Sequence, residues 1–244
     1  MINKRNSFLL SRFICALLLM VLLLCALAFP ALAKVRAIVS IMPQKFFLEQ
    51  LVGDLVEVVV MVPPGASPHT YEPRPSQMMA LNAADIYFSI GVEFEKIWLP
   101  RFRQLNERLV FVDTSRGIEK IPVGTERKTV DKRGNPTPDC CLDPHIWLNP
   151  RLVRKISQTM ADSLSTMDPD HRLEYQQHLA TWEKKLEQLN EQLYQATRPM
   201  RDHPCFLVFH PSWRYFAREY GLRQLAVEHY GSEPGPRSLA ALID

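Results

Sequence analysis

Glycine is scarce in this sequence, 9 among 244 residues, and no tract is of low complexity; with 19 prolines, neither a collagen-like nor a disordered chain fits. Acidic residues are absent from positions 1–33, where Lys4, Arg5 and Arg12 carry the whole excess of positive charge. The formal net charge is +3, and setting those three aside leaves 26 basic residues against 26 acidic ones. A broad basic footprint is therefore excluded, and no nucleic-acid partner is expected. No His-Glu-x-x-His and no other recognisable base motif occurs, which argues against a secreted zinc hydrolase. Past residue 33, no segment is apolar enough to span a bilayer. What remains is ordinary globular sequence, 47% hydrophobic and 23% charged, long enough for one large domain or two small lobes.

The amino terminus reads as an export signal. A short basic stretch ends at Arg12, a Leu-rich apolar run extends from Phe13 to Phe29, and Ala31-Leu32-Ala33 follows Pro30 with small residues at the two positions a signal peptidase reads. Cleavage after Ala33 is expected, giving a mature chain from Lys34 in the periplasm. An uncleaved anchor is the competing reading. Cys25 follows Leu24, where lipid attachment prefers a smaller residue. Export means oxidising conditions, so Cys140, Cys141 and Cys205 allow one disulfide and one spare thiol. Cys141–Cys205 is one pairing that the sequence does not rank.

Short β-branched runs at Val35–Ile41 and Val56–Val62 predict buried strands, with a helix over Gln44–Val52 that Gly53 closes. Pro63 to Pro68 must be loop. A helix over Ser76–Ala83, a strand over Asp85–Ile90, a helix over Glu93–Leu105 and a strand over Leu109–Asp113 continue the alternation. Alternating strands and helices imply an α/β fold with a parallel sheet flanked by helices. Ser115–Asp143 has little periodicity and reads as a surface loop. Pro150 opens a helix of about four turns ending near Met167, and Asp168-Pro169 signals the cap of a new one. Along that second helix Leu179, Trp182, Leu186, Leu189 and Leu193 form an apolar stripe, and the helix reaches about Arg198, a rod of about 45 Å. A strut between lobes suits it better than a coiled coil. Strand, helix and strand then resume at Phe206–Phe209, Ser212–Tyr220 and Leu225–Glu228, with another helix from Pro236 to Ile243. The expected organisation is a signal over 1–33, an α/β lobe over 34–167, a long rigid helix over 168–198 and a second, incomplete α/β lobe over 199–244.

Three of the seven histidines share a context. His69 lies in the Pro-rich loop after a strand, His145 follows Pro144 between the long loop and a helix, and His210 follows Phe206–Phe209 and precedes Pro211. In open α/β folds ligands collect at the carboxyl ends of strands, and neutral imidazole suits zinc. Spacing alone does not show that the three converge. His171 and His178 are expected on the solvated side of the long helices, His203 in a turn before a strand, and His229 just past a strand.

The segments around these histidines carry a family resemblance. Pro63-Pro64-Gly65-Ala66-Ser67-Pro68-His69-Thr70-Tyr71-Glu72-Pro73, Asp143-Pro144-His145-Ile146-Trp147-Leu148-Asn149-Pro150, and Phe209-His210-Pro211-Ser212-Trp213 with Tyr220-Gly221-Leu222 resemble, in order, three metal-ligand motifs of the cluster A-I solute-binding proteins of metal ABC transporters. Glu233-Pro234 with Ser238-Leu239 matches a later stretch. The resemblance implies two α/β lobes joined by one long helix, with His69 and His145 from the first lobe and His210 from the second meeting a cation in the cleft. A histidine at the third position goes with the zinc branch of the family and a glutamate there with the manganese branch, so Zn²⁺ is the expected cargo and Mn²⁺ or Fe²⁺ the alternative. The fourth ligand, an Asp or Glu, falls beyond Asp244 on family spacing. The His-rich loop of many zinc-type members has no counterpart here, since Ser115–Asp143 holds no histidine.

Glu72 and Asp143 sit beside ligand histidines and are candidates to orient them. The resemblance implies a monomeric carrier, not an enzyme, that delivers metal to a membrane permease with its cytoplasmic ATPase. A surface adhesin is a role assigned to some relatives. A stiff connecting helix implies small lobe movements.

Overall fold

The computed structural model describes residues 17, 20, 34–68, 70–123 and 142–228. The described residues from Val35 to Glu228 belong to one compact unit. The first sheet holds β1 (Val35–Val39), β2 (Val56–Val60), β3 (Ile86–Ser89) and β4 (Val110–Asp113), all parallel, in the order β2-β1-β3-β4. Its two central strands are the most buried, which is why β3 reads Ile-Tyr-Phe-Ser without an alternating polar face. The helices α1 (Met42–Val52), α2 (Pro75–Asn82) and α3 (Glu93–Leu105) connect the strands. Ile38, Leu48, Leu51, Tyr87, Phe88, Phe94 and Phe102 are all but fully enclosed in the shared core.

Prolines and small polar residues set the element boundaries. Pro75 and Pro150 begin α2 and α4 (Pro150–Met167), where the missing N–H costs nothing, and Asn149 caps α4 by accepting from the N–H groups of Arg151 and Leu152. Pro100 sits inside α3 without ending it. Gly221, at φ +69°, ends α6 (Arg214–Tyr220) in the left-handed region that a side chain would strain.

Asp168 stands at the N-cap of a 3₁₀ turn over Pro169–His171, with Pro169 in its first position as expected, and the turn leads directly into α5 (Arg172–Thr197). The Asp168 carboxylate makes no capping bond; it accepts from Tyr175 Oη at 2.6 Å and pairs with His171 Nδ1 at 2.8 Å. Three expectations need correction. His171 is thus half-buried, and His178, although exposed, donates from Nδ1 to the Leu51 carbonyl at 2.9 Å, so neither ring is simply solvated. The buried face of α5 runs through Tyr175, Leu179, Trp182, Leu186, Asn190 and Thr197, while Leu189 is 42% exposed. The long joining helix is as expected, and it packs along α4 and α1, with Trp182 Nε1 donating to Ser157 Oγ. The last strand begins two residues earlier than expected, β6 spanning Arg223–Ala226.

β5 (Cys205–Val208) and β6 pair in parallel as the second sheet, with α6 between them. The described ends of the Ser115–Asp143 loop are tied down: Ile118 is buried, Pro122 bridges Leu142, and Asp143 N donates to the Ile121 carbonyl. Cys205 is free and exposed, with Arg223 Nε donating to its Sγ. Cys140 and Cys141, the helix expected over 236–243, and His229 lie outside the described residues, as does nearly all of the amino-terminal apolar run. Among the described residues no helix is long and apolar enough to cross a membrane.

Candidate metal centre

A cavity of about 680 Å³ opens between the two sheets' carboxyl ends, lined in part by Ser67, Thr70, Glu93, His145, His210 and Glu228. Each wall has a local cause. The Pro-rich loop turns on itself through Thr70 N and Tyr71 N to the Ser67 carbonyl. Gln77 of α2 clamps that loop to β2: its Nε2 donates to the Val60 and Met61 carbonyls, and its Oε1 accepts from Tyr71 Oη and Arg74 N. His69 itself lies outside the described residues, but Ser67, Pro68 and Thr70 on either side of it line the cavity.

His145 is held by Asp143. One carboxylate oxygen, Oδ1, accepts from His145 N at 2.9 Å and from His145 Nδ1 at 2.7 Å, a short Asx-type loop. Asp143 is 1% exposed, and its buried Oδ2 has no hydrogen-bond partner among the described residues. A carboxylate on Nδ1 makes that nitrogen the donor and gives the lone pair to Nε2. Trp147 stands 5.0 Å from the imidazole, ring centre to ring centre, and the fully buried Ile146 anchors the turn in the core.

His210 reaches the same place from the second sheet. Its ring centre is 5.2 Å from that of His145, with the planes at 71°. It stands at the carboxyl end of β5, where the pairing with β6 continues past both strands through Val227 N to the Val208 carbonyl and Glu228 N to the Phe209 carbonyl. Glu228 Oε2 thereby lies 3.2 Å from His210 Nδ1. The structure thus brings His145 and His210 together on one cavity with Asp143 behind the first. Glu72, by contrast, is exposed and is not among the residues lining the cavity, so any orienting role for it would concern His69. Among the described residues, no group of three or more His, Cys, Asp or Glu side chains forms a metal-holding cluster. Glu228 was missed from sequence. It reads as an ordinary polar residue at a strand end, and only parallel pairing of two short strands puts it beside a histidine 18 positions earlier.

Two parallel α/β units, a long helix packed beside them and a cavity at the strand ends define a bilobal solute-binding architecture. The chain belongs to the family described as "Zinc-uptake complex component A periplasmic" (ZnuA), which residues 38–244 match. It is 28% identical over 213 residues to the high-affinity zinc uptake system protein ZnuA of Bacillus subtilis, covering 86% of this chain and 66% of that protein. It is 28% identical over 200 residues to the manganese-binding lipoprotein MntA of Halalkalibacterium halodurans, covering 81% of this chain and 62% of that protein. A solved structure, a ZnuA deletion mutant with zinc bound, is 41% identical and superimposes with a TM-score of 0.75 over 87% of this chain and 76% of its own. The chain thus spans between about half and two thirds of the length of the first curated relatives it matches.

Proposed function

We propose that this protein is an exported carrier that captures Zn²⁺ in the cavity between its sheets and hands it to a membrane permease powered by a cytoplasmic ATPase. His69, His145 and His210 are the ligands in this reading, through neutral imidazole nitrogens, with a carboxylate or water completing the shell. Residues 1–33 act as a cleaved signal and the mature protein works in the periplasm. The two lobes divide at the long helix, residues 34–167 on one side of residues 168–198 and 199–244 on the other. The protein is a carrier, not an enzyme: its named relatives are uptake and binding proteins.

The observation that carries this reading is the 5.2 Å approach of two imidazoles, one from the turn before α4 and one from the end of β5, the first of them seated on a buried carboxylate. Zinc fits this donor chemistry better than manganese, since imidazole is softer than the oxygen-rich shells Mn²⁺ prefers. The test is a chelator-competition titration of the exported protein with Zn²⁺. Replacing any one of the three histidines by Ala is expected to cost more affinity than the about 10–100-fold typical of outer-sphere changes. Binding is also expected to weaken on acidification, because imidazolium cannot coordinate. Retention of full affinity by the His145→Ala and His210→Ala variants would defeat the assignment. The manganese-binding relative names the second reading, and equilibrium dialysis against equal Zn²⁺ and Mn²⁺ decides between them, with zinc expected to be retained.

A further inference from the structure

We propose that Glu228 is the positioning residue for His210, selecting Nε2 as the nitrogen that meets the cation, as Asp143 does for His145 on the opposite wall. The proposal rests on the zinc reading above and adds to it a residue that the histidine motifs do not contain.

The two walls are chemically alike. On one, Asp143 Oδ1 stands 2.7 Å from His145 Nδ1; on the other, Glu228 Oε2 stands 3.2 Å from His210 Nδ1. In each pair the carboxylate is the less exposed member, 2% against 17% for Asp143 and His145, and 15% against 36% for Glu228 and His210. A neutral imidazole has one N–H and one lone pair, and the acceptor beside it decides which nitrogen keeps the proton. A carboxylate at Nδ1 therefore presents Nε2 as the ligand, restrains ring rotation and raises the ring's basicity toward the metal. The approach is fixed by the backbone, since Glu228 N donates to the carbonyl of Phe209, the residue immediately before His210. Glu228 also lines the cavity. Its oxygen lies against the ring nitrogen, so it acts through the imidazole and not as a ligand of its own. The longer and more exposed contact makes this the looser of the two pairs, and its removal costs less than that of Asp143.

Three variants test this: Glu228→Leu, which deletes the acceptor; Glu228→Gln, which keeps an uncharged carbonyl in place; and Asp143→Asn as the reference. Zn²⁺ affinity by chelator competition is expected to fall about 10-fold in E228L, at the low end of the range for such partners, and further in D143N, with E228Q between wild type and E228L. At pH 8, ¹⁵N correlation spectra of the metal-free protein should show His210 as a single tautomer protonated at Nδ1 in wild type and as a mixture in E228L. The absorption bands of the Co²⁺-loaded protein should keep their energies and intensities in E228L. The proposal fails if E228L binds zinc like wild type with an unchanged His210 tautomer, if E228Q is no better than E228L, or if the cobalt bands show that a ligand has been lost, which would make Glu228 a direct donor. The metal-free spectra separate this proposal from the zinc reading. A protein that binds no zinc at all defeats that reading, while the His210 tautomer still reports on Glu228.

Discussion

Buried at the start of α3, the Glu95 carboxylate accepts from Ile90 N at 2.8 Å, Gly91 N at 2.7 Å and the Ser40 hydroxyl, which also bonds Tyr87 Oη. It fixes the β3–α3 turn, whose next residues, Val92 and Glu93, form part of the cavity wall. Gly91 adopts φ +95° there, which favours glycine. Desolvation pushes the Glu95 carboxyl up from 4.5 to about 7, against the pull of its three hydrogen-bond donors. A raised folded-state value means that the carboxyl favours folding in its protonated form. That contribution is complete below about pH 4.5 and is lost as pH rises through about 7, an effect of about 3 kcal/mol. Urea unfolding at pH 4.5 and pH 8 should therefore show wild type losing stability relative to Glu95→Gln as pH rises. A gain would contradict the assignment.

At the scale of elements, the long helix shows what periodicity reveals and what it leaves out. The steps between Leu179, Trp182 and Leu186 mark the buried face correctly, but the same rhythm carried on to Leu189 points outward. The helix instead turns Asn190 inward, where its side-chain oxygen accepts from Tyr220 Oη at 3.0 Å. A polar residue recruited by a tyrosine 30 positions downstream leaves no trace in a hydrophobic pattern. Leu186→Ala should cost about 2–5 kcal/mol and Leu189→Ala less than about 1 kcal/mol, read as shifts in denaturation midpoint at constant m-value. Equal costs would place the core on the wrong face. The first sheet was more legible, because its strands are β-branched runs punctuated by Pro and Gly. For the same reason the motif histidines could be singled out by their prolines, whereas Glu228 depends on a strand register that no local signal announces.

Across the whole molecule, Tyr215 and Glu219 tie α6 to the first sheet's side. Tyr215, fully buried, donates from Oη to the Asp143 carbonyl at 2.7 Å and accepts from Ile121 N at 2.9 Å; burial pushes its phenol up to about 12, so it stays protonated in any ordinary solution. One turn on, Glu219 accepts from Tyr194 Oη at 2.7 Å and Asn149 Nδ2 at 3.3 Å and pairs with Arg151 at 3.1 Å. Tyr215→Phe strands the Ile121 amide and should cost about 1–3 kcal/mol, with faster hydrogen exchange in residues 119–123 and 205–226 than elsewhere in the chain. Exchange that stays uniform would mean that the lobes are held by something else.

Asp143 serves two masters: its carboxylate seats the imidazole of His145, and its carbonyl takes the Tyr215 hydroxyl from across the gap. The spacing across the gap is therefore set by the chain's own contacts. On the zinc reading proposed above, an ion of the wrong radius would meet a gauge already set, and a change of metal preference would be reached by shimming α6 as readily as by exchanging a ligand.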